Sequence, residues 1–112
     1  MFYPRSGRAF LTGLILSAIS LQTLSTPLTG ARQAELEHFL RHDCGSCHGM
    51  TLKGGLGPAL TPDALVNKPA PYLRHTIAEG HPGTPMPPWK SILSAEDIDY
   101  LIELLLNQKV NP

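Results

Sequence analysis

The chain has little cysteine, few aromatics and no excess of either charge. Only two cysteines occur among 112 residues, and they sit close together. That excludes a disulfide framework, because a bridge across two intervening residues would staple almost nothing. It also leaves no second cysteine pair to complete a four-ligand zinc site; His42, His75 or His81 would complete one only by coincidence of folding. Nine basic residues balance nine acidic ones. Without a basic patch, nothing points to nucleic acid. No stretch alternates as a half-buried strand does, so a thioredoxin-like βαβ frame for a redox dithiol is missing as well. Internal repeats and low-complexity tails are likewise absent, and the chain is long enough for one small domain.

What is present is Cys44-Gly45-Ser46-Cys47-His48. C-x-x-C-H is the attachment signature of a c-type haem. Each sulfur can form a thioether to one vinyl group, and the two-residue gap matches the distance between the vinyls. The histidine directly after the second cysteine is then held under the iron as the proximal ligand. One covalent haem c, attached through Cys44 and Cys47, is the expected cofactor.

The start of the chain fits export. Arg5 and Arg8 precede a mostly apolar run from Ala9 to Leu21, about the length of a signal h-region and too short for a comfortable membrane span. Residues 1–25 are read as a signal peptide, with small residues at Thr23-Leu24-Ser25 or Thr29-Gly30-Ala31 as possible cleavage sites; an uncleaved anchor is the alternative. Residues 26–31 read as a linker and 32–112 as the functional domain. Without Arg5 and Arg8 the remainder carries seven basic and nine acidic residues, net −2. A domain of about 80 residues is near the size where one apolar core is marginal, so a buried, covalently fixed haem would supply missing apolar mass.

The pattern along this domain is all-α. Leu36, Phe39 and Leu40 form an apolar stripe on a helix over 32–43 that runs into the haem motif. A glycine-rich loop covers 49–60. Thr61-Pro62-Asp63 starts a short helix, with Thr as N-cap and Pro at the first helical position, and Asn67-Lys68-Pro69 ends it. A third helix is expected over 71–79, stopped by Gly80. Four prolines and two glycines keep 80–90 irregular. Ser94 and Asp97 approximate a capping box for a last helix carrying Ile98, Leu101, Ile102 and Leu105.

A six-coordinate haem needs a second axial ligand, usually Met or His in electron carriers. Met1 lies at the far end, and Met50 is too close to His48 to cross to the other haem face. Met86 remains, in Gly83-Thr84-Pro85-Met86-Pro87-Pro88-Trp89, where flanking prolines restrict the loop. His81 is the rival. His38, His42 and His75 sit on expected helices and read as surface or partly buried side chains. The Pro58 carbonyl, in Gly57-Pro58-Ala59-Leu60, is placed by sequence to accept from the other ring N–H of the proximal histidine; an ordinary Gly-Pro turn is the plainer reading.

These residues together resemble the class I cytochrome c family: a helix with Phe39, the Cys44–His48 motif, the Gly57–Leu60 loop, the Met86 loop and a packing helix over 95–107. Relatives often set an aromatic of the last helix against the Phe; here the aligned site is Leu104, with Tyr100 one turn earlier. Leu52-Lys53-Gly54, Leu60-Thr61-Pro62-Asp63, Met86-Pro87-Pro88-Trp89 and Leu93-Ser94-Ala95-Glu96 are similar to the haem c domain of cytochrome cd-type nitrite reductase and to the small free NirC-like cytochromes of denitrifying bacteria. The resemblance implies an all-α fold, N- and C-terminal helices packing around one haem. It implies a monomeric periplasmic one-electron carrier rather than an enzyme, serving cd-type nitrite reductase as donor or the assembly of its d-type haem.

The expected mechanism is one-electron transfer by a low-spin haem, with His48 and Met86 as iron ligands and Leu60, Trp89 and Ile92 among the lining residues. The competing reading is a ligand-binding haem sensor or small haem enzyme with a displaceable distal ligand, for which His81 is the one candidate acid–base group. A third is an assembly subunit that never turns over electrons quickly.

Overall fold

The computed structural model describes residues 26–107, so the expected signal peptide lies outside the described residues. All regular elements in this range are helical. They are α1 (Gly30–Phe39), a π-helical turn (Leu40–Cys44), α2 (Gly45–His48), α3 (Pro62–Leu65), α4 (Ala70–Glu79) and α5 (Ala95–Leu106).

The first helix differs from the sequence expectation at both ends. Thr29 caps it, accepting from the Arg32 N–H at 3.2 Å, so Gly30 and Ala31 are helical rather than linker. Instead of stopping at residue 43, the helix widens into the π turn and passes through the haem motif as α2. α3 starts at Pro62, although the Thr61 hydroxyl makes no capping hydrogen bond. α4 begins one residue earlier than expected, at Ala70, and stops at Gly80, whose φ of +75° suits glycine. α5 has the full capping box. The Asp97 N–H donates to Ser94 Oγ at 3.1 Å, and the Ser94 N–H donates to Asp97 Oδ2 at 2.9 Å.

The core is the meeting of α1 and α5. Leu36 and Leu40 pack with Ile98, Leu101, Ile102, Leu104 and Leu105, while Leu65 of α3, Leu73 of α4 and the loop residues Leu52 and Leu93 extend it. Burying one such side chain contributes about 1.5–3 kcal/mol. Two long-range polar contacts set how the helices cross. Arg32 grips Asp97 bidentately, Nε to Oδ1 at 3.0 Å and Nη2 to Oδ2 at 2.7 Å. One turn on, the Tyr100 hydroxyl donates to Glu37 Oε1 at 3.1 Å. Leu104 is buried in the core, and Phe39 takes its aromatic partner from elsewhere: Trp89, after the Met loop, meets it edge-on with centroids 5.0 Å apart.

Asp97 is almost fully buried and serves both the cap and the bridge. The Arg32 guanidinium holds its carboxyl below the usual carboxylate range, with the Ser94 N–H adding to the effect. The carboxylate therefore stabilises the fold above the ordinary Asp pKa, and that contribution is lost as pH falls through the lowered folded value. Asp97→Asn is expected to cost about 1–2 kcal/mol near neutral pH. The gap from wild type should close in acid, where Asp97 is itself neutral. Thermal melts of the holoprotein at several pH values check this; a gap that persists unchanged into acid would mean the charge is not what matters.

Candidate haem site

The π turn and α2 carry Cys44, Cys47 and His48 on one continuous helical run. Both cysteines are unpaired and partly buried. Burial pushes the Cys44 thiol up to about 12, and the Asp43 carboxylate beside it adds to the shift. Ser46 steadies the turn by donating from its hydroxyl to the Asp43 carbonyl at 2.7 Å.

The glycine-rich loop folds back onto this turn. The Gly54 N–H donates to the His48 carbonyl and the Gly57 N–H to the Cys47 carbonyl, both at 2.8 Å. Two glycines are required by close approach. A Cβ on Gly55 would lie 2.8 Å from the Cys47 carbonyl oxygen, and one on Gly57 would lie 2.9 Å from His48 Cε1 and Nδ1. The loop thereby clamps the imidazole ring and brings the Pro58 carbonyl to 2.7 Å from His48 Nδ1. A carbonyl oxygen only accepts, so Nδ1 carries the proton and donates. The lone pair is left on Nε2, the atom a metal would take.

Met86 stands on a separate loop at the C-terminal end of α4. The His81 N–H donates to the Met86 carbonyl at 3.2 Å, and Thr84 closes the turn by donating to the His81 carbonyl through its N–H at 3.1 Å and its hydroxyl at 2.6 Å. Beyond it, the Trp89 and Lys90 N–H groups donate to the Ile77 and Ala78 carbonyls of α4, and Lys90 Nζ pairs with Glu79 at 2.6 Å. Met86 is partly buried, whereas His81 is exposed. Met50 is more than half exposed and lies over Gly45, beside the attachment turn. His38 and His42 are exposed and stack on each other, centroids 4.1 Å apart, and His75 is exposed too.

Of the expected lining residues, Leu60 and Trp89 pack against the core. Ile92 does not fit that expectation. It is 59% exposed and, with Leu36, Phe39 and Leu93, lines a groove of about 260 Å³ that includes none of Cys44, Cys47, His48 or Met86.

These groups fit a covalently attached haem. Two free thiols flank a turn that ends in a histidine whose Nε2 lone pair is available. The Trp89 indole N–H is also buried without any protein partner among the described residues, a donor that a carboxylate-bearing cofactor would satisfy. No helix among those residues is long and apolar enough to cross a membrane.

Comparison with known proteins agrees. Residues 31–105 match a family model described as cytochrome C oxidase, cbb3-type, subunit III. Cytochrome c55X of Pseudomonas aeruginosa is 48% identical over 98 residues, covering 80% of this chain and 82% of that protein. The solved structure of a c-type cytochrome NirC superposes with a TM-score of 0.74 at 52% identity, covering 76% of this chain and all of that one. The dihydro-heme d1 dehydrogenase of Pseudomonas aeruginosa is 32% identical over 90 residues, spanning 80% of this chain but 18% of that protein. With a helical fold, one C-x-x-C-H turn and this coverage, the chain belongs to the NirC-like mono-haem cytochromes c.

Proposed function

We propose that this electron carrier holds its haem between His48 and Met86 and works in the periplasm of a denitrifying cell. When bound, the haem supplies a one-electron couple. Cys44 and Cys47 would hold it through thioethers, and His48, through Nε2, and Met86 would ligate its iron. The observation that carries this reading is the locked His48 ring: its Nδ1 proton is committed to Pro58, so ring orientation and tautomer are set by the protein itself. Met86 supports it as the partly buried methionine of a loop tied to α4, with the rival His81 turned to solvent. A Met ligand raises the potential relative to a second His.

Similarity to a dihydro-heme d1 dehydrogenase supports a place in denitrification, either as donor to cd-type nitrite reductase or in assembly of its d-type haem. Export by the N-terminal signal completes the proposal. Leu28 packs against the core and Thr29 caps α1, which favours cleavage ahead of both.

The test is the spectrum of the oxidised holoprotein. A sulfur-to-iron charge-transfer band and no carbon monoxide adduct in the reduced form are expected. A high-spin spectrum with ready carbon monoxide binding would instead establish the sensor or small-enzyme reading.

Gly80 offers a check remote from the ligands. A Cβ there would lie 2.7 Å from the Met86 carbonyl oxygen, at a φ that L residues resist. Gly80→Ala should therefore displace the Met loop and weaken the charge-transfer band while haem content stays normal. An unchanged band would show that the loop does not set the ligand.

A further inference from the structure

Two histidines outside the haem site stand together. His38 is in the last turn of α1, and His42 follows on the π turn. Both are exposed, with ring centroids 4.1 Å apart and ring planes inclined by 38°. Residues four apart are neighbours on a helix surface. The π turn brings these two closer to eclipsed, because its hydrogen bonds reach one residue further than those of an α-helix and each revolution holds more residues. The Nδ1 of His48 is committed to Pro58, whereas neither of these rings has a hydrogen bond to the protein among the described residues. Their nitrogens are open as ligands.

The ring spacing selects among ions. A metal at about 2.0–2.1 Å from an imidazole nitrogen stands roughly 3.2 Å from the ring centroid. Two rings bound at a right angle then have centroids about 4.5 Å apart, and two at the tetrahedral angle about 5.2 Å apart. The observed 4.1 Å lies near the first spacing and well short of the second. Right-angle ligation belongs to tetragonal and octahedral ions, and copper(II) binds nitrogen sites most tightly among the divalent first-row metals. No third histidine, cysteine or carboxylate among the described residues is placed to complete the set, so water fills the other positions.

Nearby charge favours a cation. Asp43 and Glu35 line the groove that includes His38, and Arg32 on the same groove is already paired with Asp97 and Glu35. Arg41, adjacent to His42 in the chain, works the other way.

We propose that His38 and His42 form a metal site separate from the haem, a two-imidazole chelate for copper(II) on the helix that leads into the attachment motif. It shares no residue with the haem ligands and does not depend on which side chain takes the distal face.

Calorimetric titration of untagged, oxidised holoprotein with copper(II) tests the site; ferric haem has no electron to pass readily to the ion. One equivalent should bind, and electron paramagnetic resonance should show an axial copper signal split by two imidazole nitrogens. His38→Ala and His42→Ala should each weaken binding by about tenfold or more, since even a partner outside the ligand set is worth about 10–100-fold. Alanine is the best helix former, so both variants should keep the helix, and their haem spectra should match wild type. His75→Ala, at an exposed histidine of α4, should bind as wild type does. Equal affinity in wild type and the His38→Ala/His42→Ala double variant would overturn the proposal. So would a loss confined to one of the two single variants, with splitting from one nitrogen, which marks a lone imidazole.

Discussion

Met86→Ala should abolish the charge-transfer band, open the reduced iron to carbon monoxide and lower the reduction potential by on the order of 0.1–0.3 V. That is a fraction of the roughly 0.8 V range over which axial ligands set haem potentials. The fold should survive. The loop is built from main-chain hydrogen bonds, His81 N–H to the Met86 carbonyl and Trp89 N–H to the Ile77 carbonyl, which an alanine leaves in place. Cys44 lies on the π turn, Cys47 and His48 on α2, and all three would still hold the haem. His81→Ala is the matched control and should leave the spectrum untouched, because that side chain is exposed. Retention of the band in Met86→Ala, or its loss in His81→Ala, would move the ligand to another residue.

A Cys44→Ser/Cys47→Ser double variant should accumulate largely unfolded. Eleven buried apolar residues make up the core of the described chain, a small number for a domain of this size. The two segments that face the site, 49–60 and 80–90, contain no regular element. Each is anchored locally, to the attachment turn and to α4, and a haem held by His48, which the first segment clamps, and by Met86 of the second would link them. Far-UV circular dichroism and proton NMR of the purified variant check this; a well-dispersed spectrum would show that the polypeptide core suffices. The chemistry of Cys44 is consistent with an open chain at the moment of attachment. In the folded form its thiol is pushed up to about 12, leaving little thiolate to react at neutral pH, and unfolding removes the burial that causes the shift.

The attachment motif, the methionine loop and the helical character were legible because each is encoded locally. C-x-x-C-H is a spacing on one turn, Met86 stands between prolines, and α5 announces itself by a capping box and an apolar period. The start of α1 was legible in principle as well: Thr29 followed by helix-compatible residues is an N-cap signal, obscured by its closeness to an export segment. The π turn left no such trace. Its first residue, Leu40, is buried in the core and its last, Cys44, is partly buried against that core, a placement set by tertiary packing.

By itself, then, the sequence determined the C-x-x-C-H motif, the donor atoms on offer and the order of the helices, all of which rest on residues within one or two turns of each other. Only the tertiary structure decided what reaches across the chain. Arg32 finds Asp97, Tyr100 finds Glu37, and Trp89 supplies the edge that Phe39 lacks from the last helix. It also left Ile92 on a surface groove and Leu56 uncovered beside the histidine clamp. Contacts of that kind join residues tens of positions apart, and no local pattern specifies them, because burial and pairing are properties of the packed molecule rather than of any segment of it.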